Sequence, residues 1–365
     1  MRDSLDRVTG GPWLKACAAY APSTRVTIDE AIREGWYGDA EHAKDQYVSI
    51  AVEREWWPAE MALATARTAL LATGADRRRV GQLTYVSIHR HGNARLWQPA
   101  AYLQSALGAP QALAFSLSHG CNGMFVAARL ALDRLRCDPG QDALVVGADR
   151  FGTSAFDRWR GDYGVLYGDA AAAAVFGSSG GFARVLHLSI AGVPELEGMH
   201  RHCASHIEHI GHADALQEFG VRASKKAFME RYGRERFFDA IGEALSRLRE
   251  DVLDRFALHA QPADWLITPH LGEAISAPLY VGMFSELARR HFDDYGRRIG
   301  HTGTADQFAS IAALAASGQL TNGQRVLLVG SGAGFSCGLM LLEIHDVSRA
   351  TLCDEIHSTL LDLER

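Results

Sequence analysis

The stretch AFSLSHGCNGM, residues 114–124, joins an apolar, strand-like run to a long amphipathic segment. Within that segment, apolar side chains recur at helical spacing at Phe125, Ala128, Leu132 and Leu135. This periodicity predicts a helix that buries one face. The order of strand, short glycine-containing turn and buried helix favours an α/β fold.

Cys121 falls where this predicted helix begins. Backbone N–H groups at a helix start lack partners, and the helix dipole is positive there. Both effects stabilise a thiolate, which is the reactive form of cysteine. Gly120 and Gly123 keep bulk away from the sulfur. An isolated cysteine is more often buried and inert, so a catalytic interpretation depends on partners elsewhere in the chain.

Length and composition favour a globular enzyme of the cytoplasm. The chain has 365 residues, enough for one large domain or two. Hydrophobic residues make up 47% and charged residues 22%, and the net charge of −6 argues against a general nucleic-acid-binding protein. The first residues lack the apolar core of a signal peptide, and no apolar run has membrane-spanning length.

The cysteines indicate reduced thiols. The six cysteines include no C-x-x-C pair, which favours neither a disulfide framework nor a zinc ribbon in a chain of this length. Cys203 lies in a histidine-rich segment that contains His200, His202, His206, His209 and His212. The spacing of these residues matches no standard zinc site, so we expect no metal and a polar loop or helix near the pocket entrance.

Strand-like and helix-like segments alternate along the chain, which predicts stacked α/β layers. The main predicted strands are residues 14–20, 81–88, 142–147, 170–176, 265–268, 326–329 and 339–344. The main predicted helices are residues 60–73, 102–107, 272–290 and 308–316, with an extra amphipathic helix carrying Leu352, Ile356, Leu360 and Leu363. The Ser- and Gly-rich residues 178–181 predict a boundary between two halves, 1–180 and 181–365.

Seven motifs in a specific order carry a family resemblance. They are ACAAYAP (16–22), LSHGCNGM (117–124), VVGAD (145–149), YGDAAA (167–172), TPH (268–270), GHTG (300–303) and GAGFSCG (332–338). Together they resemble the β-ketoacyl-ACP synthase III family, which opens fatty-acid and polyketide synthesis. The resemblance covers nearly the whole chain. It implies a thiolase fold with five layers, α-β-α-β-α, made of two similar halves, and a homodimer.

The resemblance also implies the first chemical step. Cys121 would attack an acyl thioester and hold the acyl group as a new thioester. The backbone N–H groups of Cys121 and Ala333 would form the oxyanion hole, and the small residues Gly332 and Gly334 would let the backbone approach the acyl group. A dinucleotide-binding loop is a poor alternative for this glycine-rich segment, because a strand rather than a helix follows it.

The family register assigns His270 as the general base or acid. His119, where the family usually has a small residue, is a candidate for the pocket wall. His301 stands where condensing members have an asparagine that, with the histidine, donates hydrogen bonds to the malonyl thioester carbonyl. An imidazole has a different shape and a different set of protons from an amide, so we expect decarboxylation to be disfavoured.

Asp306 has two interpretations, which are compatible with each other. The branch of the family that transfers acyl groups to alcohols uses a Cys-His-Asp set, in which Asp306 would orient His270 and stabilise its charged form. Alternatively, Thr304-x-x-Gln307 is a capping box, and an acid in the first turn of a helix interacts well with the dipole.

These observations favour a non-decarboxylating acyltransferase of a natural-product pathway. The expected donor is an acyl carrier protein or CoA, the expected acceptor is a hydroxyl or amine of a small molecule, and no cofactor is expected beyond the donor's phosphopantetheine. A basic stretch at residues 222–236 would suit an acidic carrier protein, although such runs are more often solvated helix faces. The alternatives are a starter-unit condensing enzyme and an inactive partner subunit, and the presence of Cys121 and His270 argues against the latter.

Overall fold

The computed structural model describes residues 11–88, 96–153, 156–200 and 221–356, and these residues form thirteen strands. The strands are β1 Trp13–Tyr20, β2 Arg25–Thr27, β3 Ser49–Ala51, β4 Val80–Val86, β5 Leu113–Leu117, β6 Asp142–Asp149, β7 Ala170–Gly177, β8 Ala183–Gly192, β9 Ala263–Ile267, β10 Ala288–His291, β11 Arg325–Gly332, β12 Ser336–Ile344 and β13 Ala350–Cys353.

Helices connect most of these strands. They are α1 Ile28–Arg33, α2 Asp39–Asp45, α3 Pro58–Thr73, α4 Pro99–Leu107, α5 Gly123–Cys137, α6 Val221–Tyr232, α7 Glu235–Phe256, α8 Glu273–Ser276, α9 Gly282–Phe284, α10 Asp294–Ile299 and α11 Asp306–Ala316. A π-helical turn, Ala277–Val281, lies between α8 and α9. Among the described residues, no helix is long and apolar enough to cross a lipid bilayer.

The large sheet consists of two halves with the same strand order. From the centre outward, the first half runs β1-β7-β6-β4-β5 and the second runs β8-β12-β11-β9-β10. In each half the two inner pairings are antiparallel and the two outer pairings are parallel. A short antiparallel contact between β1 and β8 joins the halves, and β13 pairs with β1 in parallel. This repetition confirms the predicted construction from two similar halves.

Helices fill the space between the half-sheets and cover their outer faces. Helices α5 and α11 each contact strands of both halves, so they form the central layer. Helices α3 and α4 cover the first half, and α7 covers the second. The four side chains predicted to face the core from α5 are all buried. The resulting order of helix, sheet, helix, sheet and helix is the expected thiolase architecture.

The composition of β7 explains how closely these layers pack. Its sequence, AAAAAVFG, is buried along its whole length, as is typical of a strand covered on both faces. The five alanines leave room for α3 on one side and α11 on the other. Helix α11 is therefore held close to the sheet, which matters because α11 begins with Asp306.

Two predicted helices differ from the structure. Residues 272–290 do not form one helix, because Pro278 lacks a backbone N–H and the chain passes through the π-helical turn into β10. In β10, Arg290 pairs with Trp265 of β9. Leu352 lies in β13 rather than in a helix, because this segment pairs with β1. Leu360 and Leu363 lie outside the described residues.

Candidate active site

Cys121 lies in a single 3-10 turn, Gly120–Asn122, between the end of β5 and the start of α5. The closing hairpin between β11 and β12 packs directly on this turn. A Cβ atom added at Gly332 would lie 2.8 Å from the backbone N of Cys121 and 2.3 Å from that of Asn122, so only glycine fits. Cys121 and Ala333 both line one cavity, which places the two predicted oxyanion donors beside the same space.

This cavity has a volume of about 480 Å³ and a mainly apolar wall. Its aromatic lining residues are Phe151, Phe156, Tyr167, Phe237, Tyr280 and Phe335. Apolar walls with a few polar groups are typical of small-molecule sites. Cys121 and His301 both line this cavity, and the imidazole contacts the sulfur there.

His301 is the histidine on the sulfur. Its Nε2 atom lies 3.0 Å from Sγ of Cys121, and its Nδ1 atom lies 2.6 Å from Oδ2 of Asp306. With the proton on Nδ1 directed at the carboxylate, Nε2 is placed to accept the proton of the thiol. The thiol of Cys121, the imidazole of His301 and the carboxylate of Asp306 are thus arranged as in a catalytic triad.

The backbone around His301 is fixed on both sides. Its N–H donates to the carbonyl of Leu166 at 2.7 Å, and its carbonyl accepts from the N–H of Gly168 at 2.9 Å. The Tyr167 ring meets the imidazole edge to face, with ring centroids 5.3 Å apart. These contacts hold the imidazole against the sulfur.

His270 is not the histidine at the sulfur, although the sequence analysis assigned it as the base. Its Nδ1 atom lies 3.0 Å from the Gly300 carbonyl and its Nε2 atom lies 2.6 Å from Oγ of Ser310. Its neighbours Pro269 and Leu271 line the cavity, but His270 is absent from the lining. A Cβ atom at Gly296 would lie 2.6 Å from Cδ2 of this ring, so the glycine makes room for the imidazole behind the cavity.

Asp306 joins the two histidines. Its Oδ2 atom accepts hydrogen bonds from Nδ1 of His301 and from the backbone N–H of His270, the latter at 2.9 Å. Its Oδ1 atom accepts from the N–H and hydroxyl of Thr302 at 2.7 and 2.8 Å, and lies 3.2 Å from Nδ1 of His270. Asp306 is 1% exposed, so this carboxylate acts in a site shielded from water.

Burial and these contacts shift the proton affinities in opposite directions. Burial alone lowers the pKa of His301, but the charges of Asp306 and Cys121 outweigh it and raise the pKa well above the usual value. Burial raises the pKa of Asp306, but the two histidines more than offset this and lower it. Burial lowers the pKa of His270 despite the neighbouring carboxylate. The surroundings of His301 therefore favour its charged form, and those of His270 favour its neutral form.

The predicted capping box does not form. The N-cap of α11 is Ala305, the Thr304 hydroxyl donates to Asp149 at 3.2 Å, and the Gln307 amide donates to the Val329 carbonyl at 3.0 Å. The Asp306 carboxylate points at the histidines instead. Asp306 therefore both begins α11 and belongs to the triad-like set, although the capping box is missing.

Only some of the other predicted pocket residues line the cavity at Cys121. Gly332 and His301 line the cavity, whereas His119 and Gly334 do not. Nε2 of His119 lies 3.0 Å from Oγ of Ser336, which also accepts from the Asn122 amide. His119 therefore ties the cysteine turn to the closing hairpin. Of the histidine-rich segment only His200 is described, and it lines the cavity.

The contact of His301 with the sulfur predicts how readily Cys121 is alkylated. Asp306 and Cys121 raise the pKa of His301 well above its usual value, which favours the imidazolium form beside Sγ. We expect iodoacetamide to alkylate Cys121 at pH 6 roughly tenfold faster in the wild type than in His301→Gln, because a glutamine amide cannot accept the thiol proton as the imidazole 3.0 Å from Sγ can. Peptide mass spectrometry measures this, with the exposed Cys137 as internal reference. Identical pH profiles for the two proteins would contradict the pairing.

Comparison with known families finds matches to both parts of the chain that contribute to the site. The family model for 3-oxoacyl-[acyl-carrier-protein] synthase III matches residues 115–192, and the model for its C-terminal part matches residues 253–344. β-Ketoacyl-[acyl-carrier-protein] synthase III of Blochmanniella pennsylvanica is 27% identical over 252 residues, covering 67% of this chain and 71% of the relative. The regions matched by the two family models contain Cys121, His270, His301 and Asp306.

Solved structures share the fold over nearly the whole chain. The acyltransferase ChlB3 superposes with a TM-score of 0.83 at 27% identity, covering 93% of this chain and 99% of that one. 3-Oxoacyl-(acyl carrier protein) synthase III, FabH, from Pseudomonas aeruginosa PAO1 superposes with a TM-score of 0.71 at 19% identity, covering 92% and 98%. The second likeness supports the fold alone.

Proposed function

We propose that this chain, which resembles β-ketoacyl-ACP synthase III proteins and has the thiolase fold, is a non-decarboxylating acyltransferase. It takes an acyl group from a carrier protein or CoA onto Cys121 and passes it to a hydroxyl or amine of a small natural-product intermediate. The observation that carries the proposal is His301, which contacts both Cys121 and Asp306. The likeness to the acyltransferase ChlB3 supports the same reaction class.

In the first half-reaction, the thiolate of Cys121 attacks the carbonyl carbon of the acyl thioester. The new carbon–sulfur bond forms, and the oxyanion is stabilised by the N–H groups of Cys121 and Ala333. The bond to the donor sulfur then breaks. The protonated His301 gives its Nε2 proton to the departing thiolate, which leaves a neutral imidazole beside the acylated cysteine.

In the second half-reaction, Nε2 of neutral His301 accepts the proton of the acceptor's O–H or N–H. The acceptor oxygen or nitrogen attacks the thioester carbon, and Cys121 leaves as a thiolate. Asp306 stabilises the imidazolium that forms, as the carboxylate of a triad does. The ester or amide product and the regenerated thiolate–imidazolium pair complete the cycle, so all protons and electron pairs are accounted for.

The position of His270 argues against decarboxylative condensation. Stabilising a malonyl enolate requires hydrogen-bond donors directed into the cavity at the thioester carbonyl. Both ring nitrogens of His270 are occupied outside the cavity, by Gly300 and Ser310. His301 replaces the asparagine donor, and in the acyl-enzyme its remaining proton lies on Nδ1 toward Asp306, so that Nε2 faces the cavity as an acceptor. Neither of the two expected donors is therefore available for the enolate.

The donor is proposed to enter through a second cavity. This cavity has a volume of about 760 Å³ and shares five lining residues with the first, so the two adjoin. Its basic lining residues are Lys44, Arg160, Arg222, Lys225 and Arg234. Lys225 is paired with Asp162 and Arg222 with Glu41, so Lys44, Arg160 and Arg234 are proposed to supply the positive charge. Such charges suit the phosphate of a phosphopantetheine arm, whose thioester end then reaches Cys121. No separate cofactor takes part in this scheme.

A product assay distinguishes transfer from condensation. The protein is mixed with a panel of acyl thioesters, and intact mass identifies the donor that acylates it. The acylated protein then receives either candidate alcohols and amines or ¹⁴C-carboxyl malonyl thioester. We expect ester or amide formation and little labelled carbon dioxide. Rapid carbon dioxide release with a β-ketoacyl product would establish the starter-condensing function instead.

A further inference from the structure

His270 is buried behind the cavity, yet it contacts the same carboxylate as His301. Its side chain is 3% exposed, and its two ring nitrogens and its backbone N–H all have partners. Two atoms of this one residue therefore face Asp306, the backbone N–H at Oδ2 and the ring Nδ1 at Oδ1. This arrangement restricts how the carboxylate can rotate.

The partners of the ring determine its tautomer. Nδ1 faces two acceptors, the Gly300 carbonyl at 3.0 Å and Oδ1 of Asp306 at 3.2 Å, so it carries the proton. Nε2 then accepts from the Ser310 hydroxyl at 2.6 Å. Ser310 belongs to the same helix as Asp306, and one turn of α11 separates them. The neutral Nδ1–H form satisfies every partner around the ring.

A neutral His270 matters for the charge of Asp306. A protonated His270 would share the negative charge of the carboxylate and weaken its attraction for the imidazolium of His301. The other ionisable groups around His270 are Tyr295, whose ring lies 6.0 Å from the imidazole, and Tyr47, whose hydroxyl donates to the His270 carbonyl. The small cavity beside its backbone is also lined by Asp45, Glu273, Asp293 and Arg297.

We propose that His270 is a positioning residue that keeps Asp306 aligned with His301. Its backbone N–H donates to Oδ2 of Asp306, and its Nδ1–H, bonded to the Gly300 carbonyl, lies 3.2 Å from Oδ1. The ring stays neutral, so that His301 receives the full charge of the carboxylate. This inference rests on the proposed transfer function. It assigns His270 no contact with substrate and no proton transfer. The reaction therefore requires a hydrogen-bond donor at the position of Nδ1 in residue 270. It does not require a titratable imidazole there.

Two substitutions separate positioning from catalysis. His270→Asn retains an N–H donor close to the position of Nδ1 but cannot act as a base, whereas His270→Leu retains comparable volume without a donor. We expect His270→Asn to transfer the acyl group within about threefold of the wild-type rate, and His270→Leu to lose roughly 30-fold. A catalytic base at this position would make both variants equally inactive, which would overturn the proposal.

The pH profile of Cys121 alkylation provides a readout that a purely structural role would not change. We expect His270→Leu to lose part of the reactivity at pH 6, and His270→Asn to keep the wild-type profile. Thermal denaturation identifies any variant that has simply unfolded, and Ser310→Ala, which leaves the Nδ1–H contact in place, serves as the milder comparison. Wild-type alkylation and transfer in a folded His270→Leu protein would also overturn the proposal. Because alkylation needs no substrate, this result is independent of whether the product assay supports acyl transfer.

Discussion

Cys121→Ala is expected to abolish acylation of the protein and to reduce turnover by roughly 10⁴-fold or more. The sulfur is the atom that faces both His301 and the cavity, and alanine offers no nucleophile in its place. Intact mass after mixing with an acyl thioester measures the first effect. Product formation with an identified acceptor measures the second.

Two other cysteines serve as controls for this experiment. Cys137 is exposed at the end of α5, and Cys353 lies in β13. Neither lines the cavity, so Cys137→Ala and Cys353→Ala should retain the mass shift. An acyl adduct that persists in Cys121→Ala and disappears in one of the other two proteins would show that Cys121 is not the nucleophile.

His301→Asn is expected to reduce acyl transfer roughly 1,000-fold without producing a condensing enzyme. The substitution removes the base that lies 3.0 Å from the sulfur and installs the residue that condensing relatives carry. An amide at this position supplies one donor for an enolate. The second donor remains absent, because the ring of His270 is occupied by Gly300 and Ser310 outside the cavity.

The two half-reactions should respond to this change differently. Acylation needs a thiolate and can proceed slowly at high pH without His301, whereas transfer also needs removal of the acceptor's proton. We therefore expect single-turnover transfer to decline more than acylation measured at pH 9. Efficient β-ketoacyl formation by His301→Asn would show that the position of His270 does not limit condensation, and it would refute this assignment.

The fold was predictable because its signals are local and repeated. Continuous apolar runs such as β6 and β7 and the one-sided pattern of α5 each survive in the structure. The exceptions have tertiary causes. Residues 288–291 become β10 because β9 offers an unpaired edge, and residues 350–353 become β13 because they pair with β1. No pattern within these short segments distinguishes a strand from the end of a helix.

The site was predictable in its members but not in their contacts. The sequence analysis selected Cys121, His270, His301 and Asp306. In the structure, Nδ1 of His270 lies at Oδ1 of Asp306 and Nδ1 of His301 lies at Oδ2. Which imidazole meets the sulfur depends on where the Gly300 carbonyl and Ser310 lie, and on the room left by Gly296. The available sequence signal was the five-residue spacing between His301 and Asp306, which the structure shows to span one hydrogen-bonded loop.

The pairing of β13 with β1 has a consequence for the order of events during synthesis. Residues 17–20 take Ala350 to Cys353 as their parallel neighbours, so this edge of β1 depends on residues more than 300 positions later in the chain. A ribosome that has released only the first half exposes this part of β1 to other chains, because unpaired strands associate readily. The large sheet can therefore be completed at this edge only after residues 350–353 have been synthesised.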